Sequence, residues 1–347
     1  MNNGSDKNFT MTNSTQTNNI SISVKELKSG YDLPVYGLDS GQFYAIHIVA
    51  IACIFTSLGC AITVIVFSFV SNKSLSFFRW TKSERFAVYL AICDGLFNLC
   101  HSMDHLQIVI TRNHVYPVEL CRFYGFMLAE FVSAQNILVF IIAINAFLLI
   151  YFQKNLEFGQ NDWRLLLCTF GIPFVAAVCA AAFGFFGPSG AFCLFDGVNG
   201  YLANLFFTTI PLFVVFILNS FLYLLTWRKI NAESKRLKDC LGKETKTVSA
   251  AHSAAKTMSL FVAVFFIQWW ALAAFAVWQL NATHVPEAMF QVTIFFTNIG
   301  GVLNGIVYVF IRRRRRTSGN RRQKYETTAM TNVATIEQEQ KTKGQTD

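Results

Sequence analysis

The chain has 347 residues, of which 53% are hydrophobic, 15% aromatic and only 14% charged, with a mean hydropathy of +0.40. That composition excludes an ordinary soluble domain and makes a bilayer the expected solvent. A formal charge of +9 raises nucleic acid as a partner, but the basic residues are scattered through loops and a tail between apolar stretches, so no nucleic-acid surface is expected.

Residues 1 to 41 are rich in Asn, Ser and Thr, which predicts a disordered segment. Asn3, Asn8, Asn13 and Asn19 each begin an Asn-x-Ser/Thr acceptor triplet, as expected of a glycosylated segment outside the cell. This polar segment lacks the apolar core of a signal peptide, so the first apolar stretch is expected to act as its own insertion signal. Seven apolar stretches follow, near 43–70, 86–110, 118–152, 164–186, 201–227, 257–280 and 287–311. Each exceeds the roughly 20 helical residues that a ~30 Å hydrocarbon core requires. None alternates with period two, so membrane β-strands are excluded. The predicted fold is therefore an all-α bundle of seven transmembrane helices over 42–311, followed by a basic, disordered tail at 312–347.

Of the 29 Lys and Arg residues, 24 fall in alternate loops together with the tail. This positive-inside pattern predicts a cytosolic C-terminus, and an odd number of spans then places the N-terminus outside. Asn281, in the last outer loop, begins one further acceptor triplet. Six of the nine cysteines lie within apolar stretches, where a thiol behaves as a small hydrophobe, and Cys240 lies in an inner loop. Cys121 and Cys193 alone reach the oxidising side, so a disulfide between them is expected.

Polar residues within spans carry the most information, because each needs a partner in the bundle or a wet cavity. Span two has the densest set: Asp94, Asn98, His101, Asp104 and His105 share one helical face. Asp94 sits near mid-membrane, while His101, Asp104 and His105 approach the outer mouth. His101 and His105 have the spacing of a partial metal site, with Glu130 on span three within conceivable reach. Interhelical hydrogen bonding and ligand contact are the other readings of this stripe. Span three adds Ser133, Gln135, Asn136 and Asn145. Span six adds Gln268 beside Trp269 and Trp270, and span seven adds Gln291, Thr297, Asn298, Asn304 and Tyr308. Gly300, Gly301 and Gly305 permit a close neighbour in span seven, and Pro173 and Pro211 are expected to bend or loosen spans four and five. No phosphate loop, HExxH or nucleophile elbow occurs, so no enzyme is expected and no cofactor is implied. The apolar stretches contain no lysine, which argues against a retinal Schiff base.

Seven spans, acceptor triplets ahead of the first, the Cys121 and Cys193 pair and basic inner loops together resemble a G-protein-coupled receptor. Ala143-Ile144-Asn145-Ala146-Phe147-Leu148-Leu149-Ile150, Leu166-Leu167-Cys168-Thr169-Phe170-Gly171-Ile172-Pro173 and Leu58-Gly59-Cys60 are similar to the slime-mould cyclic-AMP chemoattractant receptors, and the Gly-x-Pro of span four is also similar to the secretin-like group. Leu90-Ala91-Ile92-Cys93-Asp94 and Asn304-Gly305-Ile306-Val307-Tyr308 resemble the LAxxD and NPxxY motifs of rhodopsin-like receptors, with Gly in place of Pro. That resemblance implies that Asp94 and Asn304 border a water or sodium pocket and that Tyr308 moves on activation. Departures from the rhodopsin-like pattern are Cys60 for an Asn, Asn145-Ala146-Phe147 for Asp/Glu-Arg-Tyr, and a span six without the CWxP proline.

The resemblance implies a plasma-membrane receptor that binds an extracellular ligand inside the bundle and activates a heterotrimeric G protein. His101, Asp104, His105, Glu130, Trp269, Trp270 and Gln291 are the expected ligand contacts, with Arg228, Lys229, Arg312 and Arg313 facing the G protein or anionic membrane lipid. A transporter or channel using the stripe of span two is the alternative, although the two halves show no internal repeat.

Overall fold

The computed structural model of the protein describes residues 27–240, 246–281 and 286–314. Seven helices among them are long and apolar enough to cross a membrane: spans one to seven at Phe43–Ser71, Lys82–Thr111, Val118–Tyr151, Gln160–Ala182, Tyr201–Glu233, Ala255–Phe275 and Ala288–Arg314. The acceptor triplets at Asn3, Asn8, Asn13 and Asn19 lie outside the described residues, and the triplet of Asn281 runs out of them.

Span two starts four residues before its apolar stretch because its first turn is polar. The Thr81 side chain accepts from the Glu84 N–H while the Glu84 carboxylate accepts from the Thr81 N–H, a reciprocal cap on the helix start. Span four stops at Ala182, short of the expected 186, because Gly184 takes a positive φ of 71° and redirects the chain into a strand. Both prolines act as expected, each preceded by a widened π-helical turn: Leu167–Gly171 ahead of Pro173 and Leu205–Thr209 ahead of Pro211. Proline has no N–H to give the preceding turn, and a wider turn absorbs the mismatch.

Spans two and three are the inner helices, with well over half of their apolar windows buried, whereas spans one, four and five turn most of their surface outward. Phe86 and Leu90 of span two, Leu138 and Ile142 of span three, and Phe261, Phe265 and Trp269 of span six fill the main core. Exposed Phe67, Val175, Ile217 and Phe221 face outward, as lipid-facing positions require.

Two short strands, β1 (Phe186–Pro188) and β2 (Cys193–Phe195), pair antiparallel in the register Phe186↔Phe195, Gly187↔Leu194 and Pro188↔Cys193. This hairpin lies on span three, where Gly125 has no side chain to obstruct the Leu194 carbonyl. A disulfide between Cys121 and Cys193 pins it there. The hairpin marks one end of the bundle, called here the disulfide end; the arginines closing span seven mark the other, the basic end.

Residues 27–41 depart from the expected disorder. Ser29 caps a single 3-10 turn, Gly30–Asp32, and the Gly30 N–H donates to both carboxylate oxygens of Asp196, at 2.8 and 2.9 Å. Tyr31 donates to the Val115 carbonyl (3.0 Å), the Tyr36 N–H donates to the Gly190 carbonyl (2.9 Å), and the Tyr36 ring lies 3.9 Å from that of Phe290. Burial pushes the Tyr31 phenol up to about 12, so it stays protonated and able to donate at any physiological pH. The segment is a strap across the disulfide end.

Candidate functional site

The polar residues of the spans meet at three levels. At the centre, the Asp94 carboxylate of span two accepts from Gln135 Nε2 of span three (3.0 Å) and from Asn304 Nδ2 of span seven (2.7 Å). Gln135 and Gln268 of span six form a reciprocal amide pair at 3.3 and 3.5 Å, and Gln268 also donates to the Thr297 carbonyl (3.2 Å). Span seven breaks its helix after Asn298, and the backbone N–H of Gly301 donates to Ser57 Oγ of span one (2.8 Å). Gly300 and Gly301 are needed here: a Cβ on either would collide with Gln268 or with Ser57. One carboxylate and its amide neighbours therefore tie spans two, three, six and seven together, and the Gly301–Ser57 bond adds span one.

Nearer the disulfide end, three buried histidines form a chain from span one to span two. His47 Nδ1 and His105 Nδ1 are 2.7 Å apart, and His105 Nε2 lies 3.1 Å from His101 Nε2. Phe97 stacks on His101 from below, and Phe192 of the hairpin packs edge-on against it. Asp104 Oδ2 accepts from the Cys193 N–H (2.8 Å), so this carboxylate anchors the hairpin. Because His105 uses its two nitrogens on two different rings, the three imidazoles do not converge on a point. Among the described residues no group of His, Cys, Asp and Glu is arranged to hold a metal ion. Glu130 is buried in span three, with Oε2 unpartnered.

At the basic end, Asn145 of span three donates to the Met258 sulfur of span six (3.2 Å) and accepts from the Leu156 N–H (3.0 Å). Leu149, Ile150, Ile230 and Ala255 close spans three, five and six against one another. Arg85 grips Asp162 through two bonds, 2.6 and 3.1 Å, and Tyr89 donates to the same carboxylate (3.1 Å). This buried pair holds span two to the start of span four. Arg312 bonds the Tyr308 hydroxyl (3.1 Å), and Arg314 bonds Thr257 of span six (3.2 Å).

The family model of the seven-transmembrane receptors of the rhodopsin family matches residues 61–308. The chain belongs to the rhodopsin family of seven-transmembrane receptors. Among solved structures, the receptor is similar to the crystal structure of squid rhodopsin, with a TM-score of 0.60 over 77% of this chain and 81% of that one. At 17% identity that likeness is one of fold. No protein of curated function matches the receptor in sequence. The match favours the rhodopsin-like runs around Asp94 and Asn304; the leaning of spans three and four toward the cyclic-AMP and secretin-like receptors gains no support from it. A transporter or channel is likewise not favoured.

The expected ligand contacts differ in burial. Trp269 is buried, but Trp270 is 44% exposed, with its ring on Phe296, and Gln291 is exposed as well. Adjacent residues on a helix point about 100° apart, so Trp269 and Trp270 cannot both face the interior. Asp104 lies within the interior cluster, but its hydrogen bond goes to the protein. At the basic end Arg228 and Arg313 are exposed, whereas Lys229 pairs with Glu233 one turn on (3.1 Å). Sequence reasoning overlooked His47 and Ser57. His47 had a readable signal, as the only His, Asp, Glu, Lys or Arg of span one; Ser57 had none.

Asp196 offers a direct test of the strap, since it also accepts from the Val198 and Asn199 N–H groups, both at 2.9 Å. Asp196→Ala is expected to remove about 1.5–3 kcal/mol of local stability, the range for bonds to a charged group. Hydrogen exchange at residues 30–36 is then expected to quicken by roughly tenfold or more, by that same energy. Unchanged protection in the variant would show that Asp196 does not hold the strap.

Proposed function

We propose that the chain is a plasma-membrane receptor that binds an extracellular ligand near the disulfide end and activates a heterotrimeric G protein at the basic end. The observation that carries this reading is the rhodopsin-family match over residues 61–308, which spans both the central polar network and the contacts that close the basic end. The positive-inside distribution supports an outer N-terminus, which would expose the acceptor triplets at Asn3, Asn8, Asn13, Asn19 and Asn281 to glycosylation. His101, His105 and Glu130, with Trp269 beneath them, are the contacts a ligand would reach once the strap lifts. A strap closed over this cluster supports a route in which its displacement accompanies binding.

Coupling requires a second arrangement of the bundle. Asn98 Oδ1, Asn298 Oδ1 and Trp269 Nε1 are buried without hydrogen-bond partners, so the centre has unused capacity that a rearrangement could engage. Arg228 and Arg313 face the surface where a G protein or anionic lipid would lie.

The experiment is to express the full chain with G-protein dissociation sensors of every subtype, beside Ala255→Trp. Ala255 is fully buried between spans three and five, and an indole there cannot fit the closed packing. Ala255→Trp is expected to raise ligand-free coupling severalfold in at least one sensor. If the parent and the variant, both present at the cell surface, are silent with every subtype, the coupling reading is wrong.

A further inference from the structure

A groove of about 780 Å³ runs along the outer face of the bundle between spans one and seven. The two helices touch at both of its ends. At mid-span the Gly301 N–H meets Ser57, and at the basic end Arg312 Nη1 bonds the Phe67 carbonyl (3.1 Å) and Ser71 Oγ. Between these contacts the groove opens on the outer side of the seam, while at Gly305 the helices stay close enough for an added Cβ to lie 3.6 Å from that of Cys60. Phe55, Gly59, Phe67, Val302, Ile306 and Val309 line the gap. A Cβ at Gly59 would meet nothing within 4 Å, so the groove has open space beside this residue. Thr56 and Thr63 donate their hydroxyls to their own helix, to Ala52 and Gly59 carbonyls at 2.7 Å, and so bring no unmet polarity to the lining.

Arg312 and Arg313 line one end. A guanidinium carries five N–H donors, and only Nη1 of Arg312 is engaged by the described residues. Val302 and Arg312 are ten residues apart, which at 1.5 Å per residue is about 15 Å, half of a ~30 Å hydrocarbon core. The groove therefore has the depth of one leaflet, an apolar body and a cationic mouth at headgroup level. A sterol would bring no charge to the Nε and Nη2 donors of Arg312. The sequence after Arg314, which begins Thr317-Ser318-Gly319-Asn320 beyond two further arginines, is too polar to fill an apolar slot.

We propose that this groove is a binding site for one anionic glycerophospholipid, an acyl chain between spans one and seven and the headgroup on Arg312 and Arg313. This gives the lipid contact of the receptor a defined place, and it depends on the groove rather than on coupling or on membrane orientation. Two arginines at headgroup level are expected to favour an anionic lipid over a zwitterionic one by roughly tenfold or more.

The test is native mass spectrometry of the full chain purified in detergent with equimolar phosphatidylserine and phosphatidylcholine. The parent is expected to retain one phosphatidylserine per chain. Gly59→Leu, which puts an apolar side chain into the groove where a Cβ meets nothing within 4 Å, is expected to lose the retained lipid while keeping the parent Tm. Thr63→Phe, one turn on, serves as a second blocking variant. Arg312→Gln/Arg313→Gln is expected to keep a lipid but bring the two species to parity. The proposal is overturned if folded Gly59→Leu and Thr63→Phe retain phosphatidylserine as the parent does, since that is general charge attraction. It is also overturned if the parent shows no preference, or if cholesterol displaces the lipid at equal concentration.

Discussion

Replacing Cys193 by Ser is expected to lower stability by about 4 kcal/mol, the chain-entropy estimate for a loop of this length, because the bond closes a separation of 72 residues. At roughly 2–4 °C per kcal/mol this is a fall in Tm on the order of 10 °C. The bond fixes more than two chain segments. Cys193 presents its N–H to Asp104, its neighbour Phe192 covers His101, and Asp196 of the same hairpin holds the strap. Freed from span three, the hairpin leaves a buried carboxylate without a donor and opens the histidine cluster to water. Cys121→Ser is expected to match Cys193→Ser, and the double variant to be no worse than either, since all three remove one bond. Cys179→Ser, at an exposed free thiol on span four, is the control and is expected to change nothing. Thermal denaturation of the purified proteins decides the matter: a Cys193→Ser variant melting within two degrees of the parent would remove the disulfide from any supporting role.

The seven spans were legible because each carries a long, predominantly apolar run without the period-two alternation of a membrane β-strand. Their ends were less so. Span two hides its first turn in the polar sequence Lys82-Ser83-Glu84-Arg85, and the fourth apolar stretch runs on past Ala182 into a strand only three residues long. Nothing in Phe186-Gly187-Pro188 distinguishes a strand from a helix end until it meets Cys193-Leu194-Phe195. The strap was illegible for a similar reason: Gly30, Tyr31 and Tyr36 are ordered by distant partners rather than by local propensity. Within the bundle, Asp94 and Asn304 stood out because polar atoms in hydrocarbon demand partners. Which partners they find depends on helix rotation and depth, and sequence fixes neither closely enough to have paired Gln135 with Gln268 or to have turned Trp270 outward. The family resemblance shows the same limit. Short runs in spans three and four drew it toward cyclic-AMP and secretin-like receptors, whereas the match extending across most of the bundle is to the rhodopsin family.

Asp94 joins spans two, three and seven through one carboxylate, and its two variants are expected to separate stability from signalling. In Asp94→Ala, Asn304 Nδ2 loses its acceptor while remaining buried, and Gln135 Nε2 keeps only its longer bond to Gln268. Each donor deprived of the carboxylate costs about 1–3 kcal/mol in soluble proteins and nearer 1 between membrane helices, so a loss of roughly 2–4 kcal/mol is expected. Asp94→Asn keeps the shape and one carbonyl acceptor, enough for one of the two donors, and adds an N–H2 that can turn toward the other side chains. It is expected to melt close to the parent yet to shift the balance between bundle arrangements, read as a changed basal or maximal response in the G-protein sensors. Asn304→Ala removes one donor and leaves Asp94 bonded to Gln135, so it is expected to destabilise less than Asp94→Ala. The double variant Asp94→Ala/Asn304→Ala is then expected to fall short of the sum, because the second substitution removes a donor already stranded by the first. Strict additivity in that cycle would mean that the two side chains do not act as a pair. An Asp94→Asn receptor with the parent's signalling in every sensor would leave the centre of the bundle a matter of stability alone.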